Sequence, residues 1–247
     1  MYSLRTIVRH HPALCSLVAV NLTIWALLRL VTVVSPAAGV SVLQVCELPC
    51  SLGGLMHRPW TLLTYFWVHT DGWHLILNML CLWYFGLKLP HGRGWKMQWL
   101  YMAGGVGGGV LYSLAGAAPG NMLIGSSAAV LAIAVAVTAV IPKRKIYMPV
   151  LGHLYLWWIT AALLSVDVVS VAFGDYAGHV AHLGGALTGL CAGWQMRRWK
   201  FRTIRPATRL GQSDISTEQI LSKIRRSGHG SLTPEERRIL FKVSQGK

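Results

Sequence analysis

Long apolar runs separated by short connections occupy most of the chain up to about residue 198. Apolar stretches of about 17 residues or more are long enough to cross the hydrocarbon core of a bilayer as an α-helix. The pattern predicts six such helices, at residues 12–34, 72–88, 97–116, 123–141, 149–172 and 177–197. We therefore expect an all-α integral membrane protein, built as a six-helix bundle with a short helical tail.

The composition agrees with a membrane protein. Apolar residues make up 53% of the 247 residues and charged residues only 13%, whereas soluble domains carry about 25% charged residues. The net charge is +15, which would suggest a nucleic-acid partner if the basic residues lined one face of a soluble domain. Because they lie between apolar runs instead, we expect membrane lipids as partners and no nucleic acid.

The distribution of basic residues predicts the orientation in the membrane. Cytoplasmic connections of membrane proteins carry an excess of Lys and Arg. Of the 23 such residues, 21 lie before the first predicted helix, in the second-to-third and fourth-to-fifth connections, or in the tail. Only Arg29 and Arg58 fall on the opposite side. Both termini are therefore predicted to be cytoplasmic, so the second, fourth and sixth helices enter the membrane from the outer face.

The chain becomes polar and strongly basic after the sixth apolar run. Two helix-start patterns, Ser216 with Gln219 and Thr233 with Glu236, predict two short helices there, joined by a turn at residues 228–230. So small a unit has little core of its own, and we expect it to dock on another surface or on the anionic inner leaflet. We divide the chain into a cytoplasmic N-terminus (1–11), a membrane domain (12–198) and a cytoplasmic tail (199–247).

The cysteines leave one question open. Cys46 and Cys50 lie in the long outer connection between the first two predicted helices. In an oxidising compartment they could form a disulfide, and unpaired thiols fit the spacing equally well. Cys15, Cys81 and Cys191 lie within predicted membrane helices, where we expect packing roles.

Three polar side chains share one depth of the predicted bundle. If the second, fourth and sixth helices enter the bilayer at their first residues, Asn78, Ser127 and His182 each lie roughly 7–9 Å below the outer edge, at 1.5 Å per residue. Polar residues inside a membrane face the protein interior or a water-filled cavity. We therefore expect these three side chains to lie around one site.

These residue types suit nucleophilic catalysis. A serine becomes a nucleophile when a histidine within hydrogen-bond reach takes its proton, which gives Ser127 the role of nucleophile and His182 that of general base. Attack on an amide creates an oxyanion that needs preorganised donors. Asn78, His74 and the backbone N–H of Ser127 are the candidates for this task.

A carboxylate partner for His182 is not evident in the sequence. Asp175 lies two turns before His182 on the same predicted helix, too far for direct contact. Asp71 and Asp167 lie near the outer ends of the second and fifth helices. The sequence therefore favours a Ser–His dyad over a Ser–His–Asp triad.

Small residues recur at four-residue spacing on two predicted helices, and such ladders let membrane helices approach closely. The ladders are Ala128, Ala132 and Ala136 on the fourth helix, and Ala181, Gly185, Gly189 and Gly193 on the sixth. Because Ser127 borders one ladder and His182 the other, contact between the ladders would bring the pair together. The glycine-rich run 104–109 lies in a predicted helix with no preceding strand, which favours helix packing over phosphate binding.

Zinc binding is the alternative chemistry for the histidines His69, His74, His179 and His182. The sequence has no His-Glu-x-x-His motif, and it offers no cysteine or acidic co-ligand at the predicted depths. We therefore expect no metal ion and no cofactor.

The motifs resemble those of the rhomboid intramembrane serine proteases, over roughly residues 12–198. The run Gly125-Ser126-Ser127-Ala128 matches the family's Gly-x-Ser-x motif, which places the nucleophile at Ser127. Two further matches lie before and after this one in the chain, and the three motifs occur in the same order as in the family.

Two further motifs carry the resemblance. The run 181–185, Ala-His-Leu-Gly-Gly, followed by Gly189 matches the family's Ala-His-x-Gly motif and places the base at His182. The residues His69, His74 and Asn78 match a His-x4-His-x3-Asn run, in which the second histidine and the asparagine serve the oxyanion.

Three positions depart from the family's pattern. Ala128 follows the serine, where the family often has glycine. Leu131 stands where an aromatic residue commonly stacks on the histidine, and Thr61 follows Trp60 where the family often has arginine. None of these departures removes a catalytic group.

The resemblance implies hydrolysis of a peptide bond in or near a transmembrane segment of a protein substrate, which enters between the second and fifth helices. It also implies a bacterial type with a small appended tail, in the inner membrane. The alternative is a non-catalytic rhomboid-like protein that binds membrane helices, which the presence of Ser127 and His182 disfavours. A transporter or channel is a third class, but we find no inverted repeat of interrupted helices.

Overall fold

The computed structural model describes residues 8–89, 94–116, 121–148, 152–176, 178–203 and 217–244. Contacts within the chain divide it into two units, Met1–Trp199 and Lys200–Lys247. The helices up to residue 203 are α1 (Pro12–Val34), α2 (Pro36–Cys46), α3 (Leu52–His57), α4 (Thr61–Thr64), α5 (Gly72–Gly86), α6 (Gly94–Ala115), α7 (Ser127–Val140), α8 (Leu156–Ala172) and α9 (His179–Thr203).

A helix occupies each of the six segments predicted to cross the membrane, namely α1 and α5 to α9. Among the described residues, α1 is the one helix that is long and apolar enough for a crossing by length and composition. The helices α2, α7 and α8 are shorter apolar helices. The number of six crossings therefore stays a prediction.

The connection between α1 and α2 is set by local sequence. Proline at the first helical position is preorganised for a helix, and both helices begin in this way, at Pro12 and Pro36. Ser35 ends α1 in an extended conformation, and its side chain accepts a hydrogen bond from the backbone N–H of Ala38. The serine thus caps α2 and turns the chain.

Two antiparallel pairs of short strands are the main departure from the predicted all-α fold. They join β1 (Leu48–Pro49) to β2 (Met122–Leu123), and β3 (Lys145–Met148) to β4 (Gly152–Tyr155). The strands explain why α7 begins at Ser127 rather than 123, and why α8 begins at Leu156 rather than 149. The β1–β2 pair, with Leu48 opposite Leu123, ties the outer connection to the segment that leads into α7.

Helix α7 lies at the centre of the first unit, because all of its residues from 128 to 137 are buried. Its ladder meets that of α9, as predicted. A Cβ atom built on Gly185 would lie 2.1 Å from the carbonyl oxygen of Ala128, and one on Gly189 would lie 2.2 Å from that of Ala132. Larger residues at these glycines would push the two backbones apart.

The glycine-rich run of α6 packs against both α7 and α9. A Cβ atom on Gly104 would lie 2.4 Å from the Cβ of Ala132, and one on Gly108 would lie 2.6 Å from the Cβ of Ala128. The prediction that this run serves helix packing is confirmed.

The cysteine question is also answered by the structure. All five cysteines, each in a described segment, are free thiols. Cys50 is buried, with its sulfur 3.7 Å from the carbonyl oxygen of Tyr112. The disulfide alternative for Cys46 and Cys50 is therefore not formed.

The second unit contains the two predicted short helices, α10 (Thr217–Ser227) and α11 (Pro234–Ser244), with a 3₁₀ turn between them at His229–Ser231. The predicted helix start at Thr233 is a reciprocal capping box. The Thr233 N–H donates to Glu236 Oε2 at 2.7 Å, and the Glu236 N–H donates to Thr233 Oγ1 at 3.3 Å. The other predicted start, at Ser216, lies outside the described residues.

Candidate active site

A sharp turn before α7 sets the position of Ser127. Gly125 has a φ of +111°, and a Cβ there would lie 2.6 Å from the ring of His74, so both the conformation and the space favour glycine. The Gly125 N–H donates to the carbonyl of Tyr65 at 3.0 Å. Ser127 thereby becomes the first residue of α7, where a backbone N–H has no partner within the helix.

The structure brings Ser127 and His182 together. Ser127 Oγ lies 2.7 Å from Nε2 of His182, which stands in the first turn of α9. The ladder contact between α7 and α9 continues directly from this pair. The imidazole side chain is 25% exposed, so the pair is held by packing but is open on one side.

A carboxylate completes the array on the far side of the imidazole. Oδ1 of Asp167 lies 2.7 Å from Nδ1 of His182 and also 2.7 Å from Nδ1 of His179. Its side chain is 6% exposed. The prediction that no carboxylate contacts His182 is wrong, and the observed arrangement is Ser127–His182–Asp167 rather than a dyad.

The pattern of α8 explains how this carboxylate reaches α9. The buried residues of α8 are Leu156, Thr160 and Asp167. Their offsets of 4 and 11 residues place them on one helical face, and Thr160 Oγ1 on that face lies 2.7 Å from Thr138 Oγ1 of α7. The contact face of α8 thus carries Asp167 into the site.

A signal for Asp167 was present in the sequence. It lies five residues before the end of α8 at Ala172, which is roughly 7 Å of helix. This is the depth shared by the three residues already assigned to the site. Its position near the end of the fifth predicted helix also fits a residue at the membrane interface, so depth alone does not assign Asp167 to the site.

The two predicted side-chain donors of the oxyanion site lie close to this array. Asn78 is buried and lines the same cavity as Ser127 and His182. His74 packs over the turn at Gly125. Among the described residues, neither side chain forms a hydrogen bond to Ser127, and Asn78 Nδ2 lies 3.4 Å from Nε2 of His69. The roles of both side chains towards an oxyanion stay predictions.

Asp71, the other carboxylate considered for a triad, has a different task. Its Oδ2 accepts a hydrogen bond from the backbone N–H of His74 at 2.6 Å. This contact makes Asp71 the N-cap of α5. It therefore fixes the start of the helix that carries His74 and Asn78.

A second serine–histidine contact involves the residue directly before Ser127 in the chain. Ser126 Oγ and Ser126 N lie 3.1 and 3.2 Å from Nε2 of His69, and both residues are fully buried. Burial, and secondly the neighbouring His74, lower the pKa of His69 to about 4, so its ring is neutral at pH 7. The neutral ring accepts the Ser126 N–H, and this pair holds the turn rather than facing the cavity.

The cavity beside Ser127 has a volume of about 270 Å³ and lies between α5, α7, α8 and α9. It is lined by Asn78, Cys81, Phe85, Ser127, Val130, Leu131, Ala134, Leu163, Val166, Asp167, His179 and His182. The polar residues are at one end and the apolar residues fill the rest. Such a lining suits an apolar peptide segment whose scissile bond lies against the polar end.

Among the described residues, one histidine–aspartate cluster has the spacing of a metal site, and its Asp167 shows that the prediction of no acidic co-ligand at this depth is wrong. One ligand atom from each of Asp167, His179 and His182 lies within 4.8 Å of the others. His69 and His74 are not part of this cluster, so the four-histidine zinc set is not assembled. The two imidazole–carboxylate hydrogen bonds account for the positions of the three side chains.

Residues 56–199 match the model of the Rhomboid domain. The chain is 29% identical over 142 residues to RHOMBOID-like protein 6, mitochondrial, of Arabidopsis thaliana, which covers 56% of this chain and 44% of that protein. It is 28% identical over 138 residues to Rhomboid protein 1, mitochondrial, of Saccharomyces cerevisiae, covering 53% and 40% of the two chains.

A third relative, RHOMBOID-like protein 2 of Arabidopsis thaliana, is 30% identical over 142 residues, covering 56% of this chain and 42% of that protein. The match thus spans less than half the length of these curated relatives. The domain match nevertheless covers more than half of this chain and includes every residue of the site described above. The chain belongs to the rhomboid family of integral membrane proteins, whose members are generally intramembrane serine proteases.

Proposed function

We propose that this protein is an intramembrane serine endopeptidase, which hydrolyses peptide bonds in or near transmembrane segments of other membrane proteins. The observation that carries the proposal is the 2.7 Å contact between Ser127 Oγ and His182 Nε2 at the polar end of an apolar cavity. A serine with a histidine at this distance is the arrangement that nucleophilic acyl transfer needs.

The reaction follows from these positions. Ser127 Oγ attacks the scissile carbonyl carbon while its proton passes to His182 Nε2, and the carbonyl oxygen becomes an oxyanion. The Ser127 N–H, Asn78 and His74 are the proposed donors to that oxygen. When the C–N bond breaks, His182 gives its proton to the leaving amine. Water then hydrolyses the acyl-enzyme with His182 again as base.

We also propose that α1 and α5 to α9 cross the membrane with both termini in the cytoplasm. The basic bias of 21 among 23 Lys and Arg residues supports this orientation. It puts the polar end of the cavity in the outer half of the bilayer, where water can reach Ser127. The bacterial inner membrane is the location that we propose.

The proposed substrates are transmembrane segments that unwind easily. A helix shields its carbonyl groups, so a substrate must open locally before Ser127 can attack. Glycine near the outer end of a substrate segment lowers that cost by about 1 kcal/mol per residue relative to alanine. The cavity is lined by residues of both α5 and α8, which supports entry between these two helices.

The proposal is tested with purified protein in detergent and in liposomes. The probes are labelled single-span segments with either two glycines or two alanines near the outer end. We expect cleavage by the wild type, faster for the glycine probe, and none by Ser127→Ala or His182→Ala.

The matched control is Ser165→Ala, which removes an exposed serine of α8 whose hydroxyl donates to the carbonyl of Ala161. It should cleave like the wild type. Turnover by Ser127→Ala, or co-purification of every probe with the wild type without cleavage, would contradict the proposal. The second result would instead identify a helix-binding protein.

A further inference from the structure

We infer that Asp167 is a positioning residue, which fixes the tautomer and orientation of His182 and stabilises its protonated form during catalysis. The inference rests on the proposed function and deepens it. The geometry that points to it is the pair of 2.7 Å contacts that Asp167 Oδ1 makes with Nδ1 of His182 and Nδ1 of His179.

The tautomer follows from the chemistry of the contact. An ionised carboxylate has no proton to give, so it accepts from Nδ1–H of the imidazole. A neutral His182 with its proton on Nδ1 has a free electron pair on Nε2. That pair faces Ser127 Oγ at 2.7 Å. Asp167 thereby holds His182 in the one neutral form that can take the serine proton.

The carboxylate has a second effect once the proton has moved. His182 becomes a cation when Ser127 attacks, and the cation then lies against a buried anion. Low-dielectric surroundings strengthen this attraction. The proton stays on His182 until the leaving amine takes it, and Asp167 remains ionised throughout.

The cost of placing an aspartate here supports a functional role. A carboxylate within a membrane helix is expensive, and such residues face partners in the protein interior. Asp167 is the only acidic residue between Asp71 and Asp175. Most of the other residues of α8 are exposed or partly exposed, yet Asp167 is buried with two imidazole donors. Burying an aliphatic side chain at this position would not carry the free-energy cost of burying a carboxylate.

His179 has a supporting position in the same cluster. Its Nδ1–H donates to the same oxygen of Asp167, and its Nε2 lies 3.7 Å from Oδ2 of Asp175. The second donor contacts the same carboxylate oxygen as His182 and helps to hold it in place. The rings of His179 and His182 lie edge to face, with centroids 5.8 Å apart.

The cluster also accounts for the departure at Leu131. An aromatic residue four positions after the serine could orient the histidine by stacking, but here a leucine lines the cavity. In the described part of the chain, His179 provides the aromatic ring beside His182. The hydrogen bond from His182 to Asp167 therefore supplies the orientation that stacking does not.

The test compares Asp167→Ala and Asp167→Asn with the wild type on the glycine probe defined above. The alanine variant loses both charge and acceptor, and we expect kcat to fall by about 10²–10⁴-fold with KM little changed. The asparagine variant keeps the shape of the side chain but loses the charge. Its amide N–H can donate to Nδ1 of His182 and so hold the wrong tautomer, and we expect a fall in kcat of similar size.

The pH dependence of kcat/KM distinguishes this role from a merely structural one. Without the negative charge, protonated His182 is less stabilised, so the acidic limb should move to lower pH in Asp167→Asn. The titratable and polar groups beside His182 on the packed elements are Ser127, Asp167, His179 and His74. Asp175 contacts His179 instead. All but Asp167 are unchanged in this variant, so the shift reports on its charge.

The matched control is Asp175→Asn, which removes the neighbouring carboxylate, whose side chain is 62% exposed. It should keep kcat within about threefold and keep the acidic limb in place. Thermal unfolding in detergent and gel filtration establish that each variant is folded. A misfolded Asp167→Ala leaves Asp167→Asn and its pH profile as the deciding measurement.

The outcomes separate this inference from the function on which it rests. If the wild type neither cleaves the probes nor reacts with a fluorophosphonate, the proposed function fails. If the wild type is active and folded Asp167→Asn has an unchanged acidic limb with kcat within about threefold, the positioning role is overturned while the protease remains.

Discussion

Asn78 and His74, both on α5, are the side chains that we propose as donors to the oxyanion. Asn78 lines the cavity and His74 lies against Gly125. Loss of one such donor typically lowers the rate by about 10²–10³-fold. We expect Asn78→Ala and His74→Ala each to reduce kcat by up to this amount, because the Ser127 N–H and the remaining side chain still act. The double variant should be slower than either single variant.

The measurement is turnover of the glycine probe by the two single variants and the double variant, with unfolding temperatures measured in parallel. The parallel measurement is needed because Asn78 Nδ2 lies 3.4 Å from Nε2 of His69, below the turn. Wild-type turnover in a folded double variant would exclude both side chains from the oxyanion site.

His69 gives a prediction about stability and pH. Its pKa is about 4 in the folded protein and about 6.5 when unfolded, so between these values the unfolded state binds more protons. The free energy of unfolding should therefore fall as the pH drops from about 6.5 towards 4, by up to about 1.4 kcal/mol per unit of pKa difference. His69→Gln keeps an acceptor for Ser126 and removes the titration.

The comparison is the unfolding temperature of the wild type and His69→Gln across this pH range in detergent. We expect the stability difference between them to shrink or reverse as the pH falls. If the unfolding temperatures of the two proteins changed in parallel with pH, His69 would not be a neutral buried ring in the folded protein.

At the residue scale, the shared depth of Asn78, Ser127 and His182 was sufficient to predict that they lie around one cavity. The oxyanion roles of Asn78 and His74 stay predictions. The sequence was also sufficient for the role of the glycines. It did not reveal Asp167 as a contact of His182, because depth alone does not say which face of a helix turns inward. The missing information was the rotation of α8, which packing against α7 determines.

At the scale of the secondary-structure elements, the distance between Ser127 and His182 depends on the close packing of α7 against α9. Gly189 lies two turns below His182, and a Cβ there would meet the Ala132 carbonyl oxygen at 2.2 Å. We expect Gly189→Ala to force the helices apart and to cost about 1–3 kcal/mol of stability. The Ser127–His182 distance should lengthen as a result, with a loss of kcat.

The matched control is Gly53→Ala on α3, where a Cβ would meet nothing within 4 Å. That variant should be neutral or slightly stabilised, because alanine favours helix more than glycine does. Unfolding temperature and turnover are measured for both variants. Equal stability of Gly189→Ala and Gly53→Ala would show that the two backbones are not in close contact.

At the scale of helices and strands, the sequence did not predict the first residues of α7 and α8 correctly. Both helices begin later than the apolar pattern indicated, because residues 122–123 and 152–155 pair as strands with distant or adjacent segments. Apolar residues of short strands extend an apolar run without interrupting it. Hydropathy therefore found the six helical segments and could not find where two of them start.

The whole molecule consists of a unit that carries the site and a small basic unit. The first unit ends at Trp199, about 25 Å along α9 from His182 at 1.5 Å per residue. We expect truncation after Thr203, which keeps α9 intact, to leave turnover of the glycine probe within a few-fold. The measurement is turnover in detergent beside full-length protein.

A complete loss of activity in a folded, inserted truncation would show that the tail is coupled to the site, or that the orientation is inverted. Cysteine labelling at His229→Cys, in a background without the native cysteines, separates these two explanations. Labelling from the cytoplasmic side would support the proposed orientation. Labelling from the outer side would show that the orientation is inverted.

The central claim is that His182 activates Ser127 and leaves Ser126 inert. It is tested most directly by treating the folded protein with a fluorophosphonate and mapping the adduct by mass spectrometry, with Ser126→Ala and His182→Ala in parallel. We predict an adduct on Ser127 in the wild type and in Ser126→Ala, and none in His182→Ala. An adduct on Ser126, or equal labelling without His182, would contradict the account.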